Sequence, residues 1–379
     1  MLRTAWSILA EDPFARRYLL VGLLPTCVVP LTISMLGVIG SIIVSQRYQI
    51  LARPTTRGSH TIPTPRLGGL GAALGFYAAT MLISPWVPVR PSAWYTALLV
   101  GGAWALVGGA LDDVFELGPR WKTLVQLAAA LSPVALGYWP STFALPFGTI
   151  TLGPIAGSVL VFLFVMLMMN VVNFMDGMDG HAPLFGIVTA STLGLFLMDY
   201  GLLERPLEYG TAFALASCVA GLLMFNFPGR PAESKTFMGD CGSQFVGFCL
   251  AILSLRAAEG APVVRFPLVA SLILYSPFIF DVAYTMILRY RRGEDLRQAH
   301  KQHLYQRLMV AGWTHGKALM FCLAVWIFAA LFAFLYARAS LVGDESSQLL
   351  ALILTASLLA ANVWQVGQIE QQQAKRRTT

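Results

Sequence analysis

Residues 154–180 read PIAGSVLVFLFVMLMMNVVNFMDGMDG. Positions 154–172 carry no charge and are long enough to cross the hydrocarbon core of a bilayer as a helix. Asn173, Asp176 and Asp179 then follow in quick succession, with Gly177 and Gly180 beside the carboxylates. An apolar span that ends in a dense polar turn predicts a membrane helix with chemistry at one end, and the rest of the chain repeats that pattern.

Hydrophobic residues make up 56% of the 379 positions and charged residues 12%, against about 25% charged in a typical soluble domain. This composition excludes disorder and fibrous repeats, and it leaves too little polar surface for a water-soluble globule. Eleven spans are predicted, at 18–45, 67–86, 94–111, 121–138, 154–172, 183–199, 208–225, 242–258, 266–288, 316–337 and 348–367. In lipid the backbone must satisfy its own hydrogen bonds, so the spans are helices. The alternating ten-residue segments of a membrane barrel are not seen. The expected fold is all-α, a polytopic bundle of about eleven transmembrane helices with its active site on the cytoplasmic face. One integral-membrane unit is expected over 1–379, with an extra span and basic tail at 338–379.

The net charge is +7. It is assigned to cytoplasmic loops and not to nucleic-acid binding, because basic residues gather on the cytoplasmic side of membrane proteins. With the N-terminus outside, 18 Lys and Arg fall on the cytoplasmic side and 8 on the other. That favours an N-out, C-in topology, although Arg3, Arg16 and Arg17 pull the other way. The five cysteines lack metal or redox spacing and read as packing residues. Glu11-Asp12-Pro13 breaks the N-terminal apolar run, which is unlike a cleaved signal peptide.

Span parity puts four polar constellations on the cytoplasmic side. Asp112-Asp113 closes the third span, where two carboxylates meet an already negative helix end and call for a compensating cation. Asp176 and Asp179, with Asn170 and Asn173 before them, could share a helical face and ligate Mg²⁺ or bind sugar hydroxyls. Asp240, in Phe237-Met-Gly-Asp-Cys-Gly-Ser243, enters the eighth span either as an N-cap or as a metal ligand bridging to a phosphate. If residues 297–307 are helical, Arg297, His300, His303 and Arg307 form one cationic stripe. Such a stripe suits a pyrophosphate, anionic headgroups or, less well, zinc. The loop Arg57-Gly-Ser-His60-Thr-Ile-Pro-Thr-Pro-Arg66 reads as a substrate loop. Ser276-Pro277 could kink the ninth span and open a groove toward lipid. Polar groups on one face of an apolar body suit an enzyme that joins a soluble substrate to a lipid better than they suit a transporter, which needs polar groups at mid-membrane.

Taken in order, Leu111-Asp112-Asp113, Lys122 with Gln126, Asn170 through Gly180, Phe237 through Ser243 and the His300/His303 loop resemble the polyprenyl-phosphate N-acetylhexosamine-1-phosphate transferases, over about residues 20–335. The resemblance implies a bacterial inner-membrane enzyme. It would move a sugar-1-phosphate from a UDP-N-acetylhexosamine to undecaprenyl phosphate and release UMP, with Mg²⁺ (or Mn²⁺) as cofactor; a homodimer is allowed. By the same resemblance Asp240 is the main metal ligand, helped by Asp176. Asp112 or Asp113 positions or deprotonates the lipid phosphate, and Asn173, Asp176 and Asp179 bind nucleotide. Phe237 stacks on uracil, His300 and His303 grip the diphosphate, and Lys122, Asn226, Arg297 and Arg307 complete the substrate site. Phosphoryl transfer depends on positioning and charge neutralisation, which favours direct attack by the lipid phosphate over an aspartyl-phosphate path. The His-x-x-His-Leu-Tyr-Gln-Arg form is similar to members that initiate O-antigen and use UDP-GlcNAc or related sugars. His181 departs from the family's usual aliphatic residue, and Gly229 to Ser234 looks like a lengthened link. A transporter of a phosphorylated metabolite lacks clear paired repeats here, and a CDP-alcohol phosphatidyltransferase lacks its Arg after Asp176-Gly-Met-Asp179.

Overall fold

The computed structural model describes residues 13–53, 62–83, 92–145, 148–201, 205–227, 235–259, 266–296, 298 and 300–378. Each of the eleven expected spans coincides with a helix. In chain order these are α1 (Pro13–Arg47), α2 (Gly68–Ile83), α3 (Ala93–Phe115), α4 (Pro119–Ala135), α5 (Pro154–Phe174), α6 (His181–Gly201), α7 (Pro206–Asn226), α8 (Gly239–Ala258) and α9 (Leu268–Arg291). A short α10 (Leu304–Val310) precedes α11 (His315–Val342) and α12 (Glu345–Thr378). Among the described residues nine helices are long and apolar enough to cross a membrane, while α2 is shorter and α4 has only 17 residues.

Local sequence sets the helix starts. Pro119, Pro154 and Pro206 stand in the first turns of α4, α5 and α7, where a missing N–H costs nothing. Two antiparallel ladders were not foreseen. β1 (Leu51–Ala52) pairs with β2 (Thr64–Pro65) and closes the base of the loop read as substrate-binding. Most of that loop, with Arg57 and His60, lies outside the described residues, as do Gly229 to Ser234. β3 (Thr142–Leu145) and β4 (Gly148–Thr151) form a hairpin between α4 and α5.

The bundle is organised around α8, whose span is 94% buried, against 22% for α1 and 17% for α12. Helices α3 and α5 pack on α8, and α7 packs on α1 and α6. Gly109 lets α3 approach α8 closely, since a Cβ there would come within 2.4 Å of the Asp240 carbonyl oxygen. Helix α12 has 34 residues, about 50 Å at 1.5 Å per residue, so it outruns the roughly 30 Å of a bilayer core.

Two residues singled out in the sequence, Pro277 and His181, are buried in the bundle. Pro277 lies inside the continuous helix α9 and is buried, where it helps enclose a small cavity with His181, Phe278 and Trp326. His181 is 1% exposed and stacks between Phe278 and Tyr305, with ring centroids at 5.0 and 4.2 Å. Its Nδ1 lies 2.9 Å from the Met175 carbonyl oxygen. It is a packing post behind the polar turn 175–180, and four of the five cysteines are likewise buried in the core.

Gly109→Ala is expected to force α3 away from α8 and to lower stability by about 1–3 kcal/mol, the usual cost of overpacking. Thermal unfolding of the purified protein in detergent checks this, and an unchanged midpoint would remove the close-approach argument.

Candidate active site

The C-terminal ends of α3, α5 and α7 meet the N-terminal end of α8 around one cavity of about 560 Å³, within the usual range for small-molecule sites. It is lined by Asp112, Asp113, Asn173, Asp176, Asp179, Asn226, Phe237 and Asp240 among the residues expected from sequence. Arg66, Glu116 and Gln306, which were not singled out individually as site residues, also line it.

The two neighbouring aspartates do different work. Asp113 is 8% exposed. Its Oδ1 accepts the Asp240 N–H at 3.0 Å and its Oδ2 accepts the Cys241 N–H at 2.9 Å. It therefore caps the N-terminus of α8 from another helix, where the helix dipole favours an anion. Asp240, expected as a possible N-cap, sits inside the first turn of α8, whose N-cap position is taken by Met238. The Lys122 ammonium lies 3.0 Å from Asp112 Oδ2 and also pairs with Asp240 Oδ2. The cation called for beside Asp112-Asp113 is thus Lys122 for Asp112, while Asp113 is compensated by backbone donors.

Asn173 holds Asp240 from the other side. Its Nδ2 donates to Asp240 Oδ1 at 2.6 Å and to Ser243 Oγ at 2.9 Å. Helix α5 ends at Phe174, so Asp176 and Asp179 belong to a turn and not to a helical face. Asn170 bonds within its own helix, to the Met166 carbonyl. Burial, then the charges of Asp240, Asp113 and Asp179, push the Asp176 carboxyl well above the usual carboxylate range. Asn226 is buried and ties that turn to the next strand of chain, accepting the Gly180 N–H at 2.8 Å and donating to the Thr236 carbonyl at 2.9 Å.

The basic stripe is corrected. Helix α10 starts only at Leu304, with His303 as its N-cap. His300 precedes the helix, and Arg297 lies outside the described residues. Burial, the neighbouring His303 and then Arg289 lower the His300 pKa to about 4, so at neutral pH it carries no charge. Arg307 forms a two-pronged ion pair with Glu370 of α12, at 2.8 and 2.6 Å. His303 is 3% exposed and its Nδ1 lies 3.0 Å from Asp281 Oδ1. Asp281 also accepts the Leu304 N–H at 2.9 Å and the Thr285 hydroxyl at 3.0 Å. A carboxylate inside the apolar span 266–288 was a legible signal for Asp281. From α10, Gln306 reaches the cavity, and the Tyr305 hydroxyl lies against Gly177, where a Cβ would come within 2.3 Å of it.

The carboxylate oxygens suit a hard divalent cation and not a soft metal. Among the described residues no three His, Cys, Asp or Glu side chains converge as a closed metal site. Mg²⁺ needs no such cage, since one or two carboxylates and substrate phosphates suffice.

The profile described as glycosyl transferase family 4 matches residues 95–258. A Bacillus subtilis protein named as a probable undecaprenyl-phosphate N-acetylglucosaminyl 1-phosphate transferase is 31% identical over 71% of this chain and 72% of its own. The decaprenyl-phosphate N-acetylglucosaminephosphotransferase of Mycobacterium leprae is 30% identical over 84% and 83%. The undecaprenyl-phosphate alpha-N-acetylglucosaminyl 1-phosphate transferase of Escherichia coli K12 is 26% identical over 73% of each chain.

Asp113→Asn replaces one acceptor with an NH₂ group facing a backbone donor. It is expected to cost about 1–3 kcal/mol through the unsatisfied donor, read as a lower unfolding midpoint. An unchanged midpoint would show that Asp113 does not anchor α8.

Proposed function

The chain belongs to the polyprenyl-phosphate N-acetylhexosamine-1-phosphate transferases of glycosyl transferase family 4, and on that premise we propose how its cavity works and on what. It transfers a sugar-1-phosphate to a polyprenyl phosphate. The donor is a UDP-N-acetylhexosamine, with UDP-GlcNAc favoured by the names of the relatives, and the acceptor is undecaprenyl phosphate. The product begins a cell-surface polysaccharide of O-antigen type.

The observation that carries the reading is the convergence of Asp112, Asp240, Lys122 and Asn173 at one end of an apolar bundle. Joining a phosphate monoester to a diphosphate gathers negative charge, and catalysis then consists of positioning and neutralisation. An oxygen of the lipid phosphate bonds to the sugar-linked phosphorus while the bond to the UMP oxygen breaks. Lys122 stands between two carboxylates and offsets their charge beside the incoming phosphates. Asn173 keeps Asp240 oriented, and Phe237 offers its ring to uracil. Asp176 and Asp179 face the nucleotide and sugar from the turn. The His300–His303 loop acts by positioning α10, which brings Gln306 to the cavity.

Mg²⁺ would be held by Asp240 and Asp176 and would neutralise charge on the diphosphate. Burial, and after it the charges of Asp240, Asp113 and Asp179, lift the Asp176 pKa, and a divalent cation would relieve the second of these.

The cavity is assigned to the cytoplasmic side of a bacterial inner membrane, with the N-terminus outside and the C-terminus inside. The Lys/Arg bias supports this. A reporter fused after Thr379 is expected to read cytoplasmic; an external signal would reverse the topology.

The purified protein, given Mg²⁺, UDP-GlcNAc and undecaprenyl phosphate, is expected to release UMP only when the lipid is present. Asp240→Asn is expected to lower that rate by at least about 10²-fold while the protein remains folded. Release of UDP in place of UMP would sink the sugar-1-phosphate chemistry, and wild-type rates in the variant would remove Asp240 from it.

A further inference from the structure

The cavity wall carries six carboxylates, Asp112, Asp113, Glu116, Asp176, Asp179 and Asp240, and among the described residues one cationic side chain, Arg66. Lys122 is adjacent but engaged between Asp112 and Asp240. Among the described residues, a cavity that takes phosphates therefore has one guanidinium in its wall.

The backbone beneath Arg66 is fixed to the turn that delivers Asp240. Phe237 N–H donates to the Pro65 carbonyl at 2.8 Å, Gly68 N–H to the Phe237 carbonyl at 3.1 Å and Gly69 N–H to the Met238 carbonyl at 2.9 Å. The Thr236 hydroxyl donates to the Pro65 carbonyl at 3.1 Å. Gly239 has φ +71°, and a Cβ there would come within 2.3 Å of the Arg66 carbonyl oxygen. The base of the side chain is thus held firmly while its head is held weakly. Arg66 Nη1 meets Glu116 Oε1 at 3.0 Å, with the two side chains 29% and 76% exposed. Exposed pairs of this kind are easily exchanged.

Glu116 is placed to be exchanged. It follows the last turn of α3 in the left-handed region, at φ 50° and ψ 60°, where its N–H closes that helix on the Asp112 carbonyl. The turn that ends α3 after Asp112-Asp113 therefore also sets a carboxylate against Arg66. A guanidinium fork matches two phosphate oxygens better than one exposed carboxylate oxygen.

We propose that Arg66 is a phosphate-binding residue of this cavity and that Glu116 is its resident competitor, displaced when a substrate phosphate arrives. This rests on the transferase reading above. The phosphate belongs either to the nucleotide-sugar diphosphate or to the polyprenyl monophosphate, and the two sources are separated by titrating each alone.

The test measures dissociation constants of UDP-GlcNAc and of undecaprenyl phosphate in detergent, by calorimetry. The proteins are the wild type, Arg66→Ala, Arg66→Lys, Glu116→Gln and the double variant Arg66→Ala/Glu116→Gln. Arg66→Ala is expected to weaken one ligand by roughly 10- to 100-fold, the value of a hydrogen bond to a charged group. Glu116→Gln is expected to tighten the same ligand by about two- to fivefold, the reciprocal of an exposed ion pair. Arg66→Lys, which keeps the charge and loses the fork, is expected to fall between wild type and Arg66→Ala. The double variant is expected to match Arg66→Ala, since Glu116 then has nothing to release.

A purely structural tie would move both single variants in the same direction, and that result overturns the proposal. So does a gain from Glu116→Gln that persists without Arg66, which would mark a general charge effect. Two ligands indifferent to Arg66→Ala, or a wild type that binds neither, overturn it as well. Lipid-dependent UMP release by the wild type reports separately on the transferase reading, so binding shifts without UMP would leave Arg66 in place and remove the chemistry.

Discussion

The pair of hydrogen bonds from the Asp240 and Cys241 amides to the Asp113 carboxylate holds two parts of the site in register. One end of each bond belongs to the last turn of α3 and the other to the first turn of α8, the most buried helix of the bundle. Removing water from that junction makes an unsatisfied amide or carboxylate costly, so the two helix ends are locked together. Gly109 makes the contact sterically feasible. Asp113 anchors, and its neighbour Asp112 is left to share Lys122 with Asp240.

Charge balance follows from that lock. The carboxylates of α3, the 175–180 turn and α8 are brought close together, and their charges add to the burial that raises the pKa of Asp176. Lys122 and Arg66 supply the cations among the described residues, one between two aspartates and the other against Glu116. Such a site has more acceptors than donors, which suits the combined binding of a divalent cation and phosphates.

A second layer stands behind the cavity. Asp281 fixes His303 and the start of α10, Tyr305 rests against Gly177, and His181 stacks on Tyr305 beneath the polar turn. Arg307 links α10 to Glu370 on α12, beyond the length of helix that a bilayer needs. The histidine loop therefore connects the last helix of the chain to the turn carrying Asp176 and Asp179. It does so through packing and ion pairs.

The sequence by itself determined the helices and the shared end of the polar motifs. Apolar length is a local property, and runs such as 154–172 cannot be satisfied except in a bilayer or a large core. The cavity residues Asp112, Asp113, Asn173, Asp176, Asp179 and Asp240 were legible because carboxylates and amides at the ends of apolar helices are locally unfavourable without a purpose, whereas Phe237 was singled out through the family resemblance. The partners of those residues were decided by tertiary structure alone. That Asp113 caps α8, that Arg307 is claimed by Glu370, and that Arg66 faces Glu116 depend on contacts between positions 50 to 128 residues apart. No periodicity records such contacts, because they arise only when helix ends meet and each buried charge takes the nearest group that satisfies it.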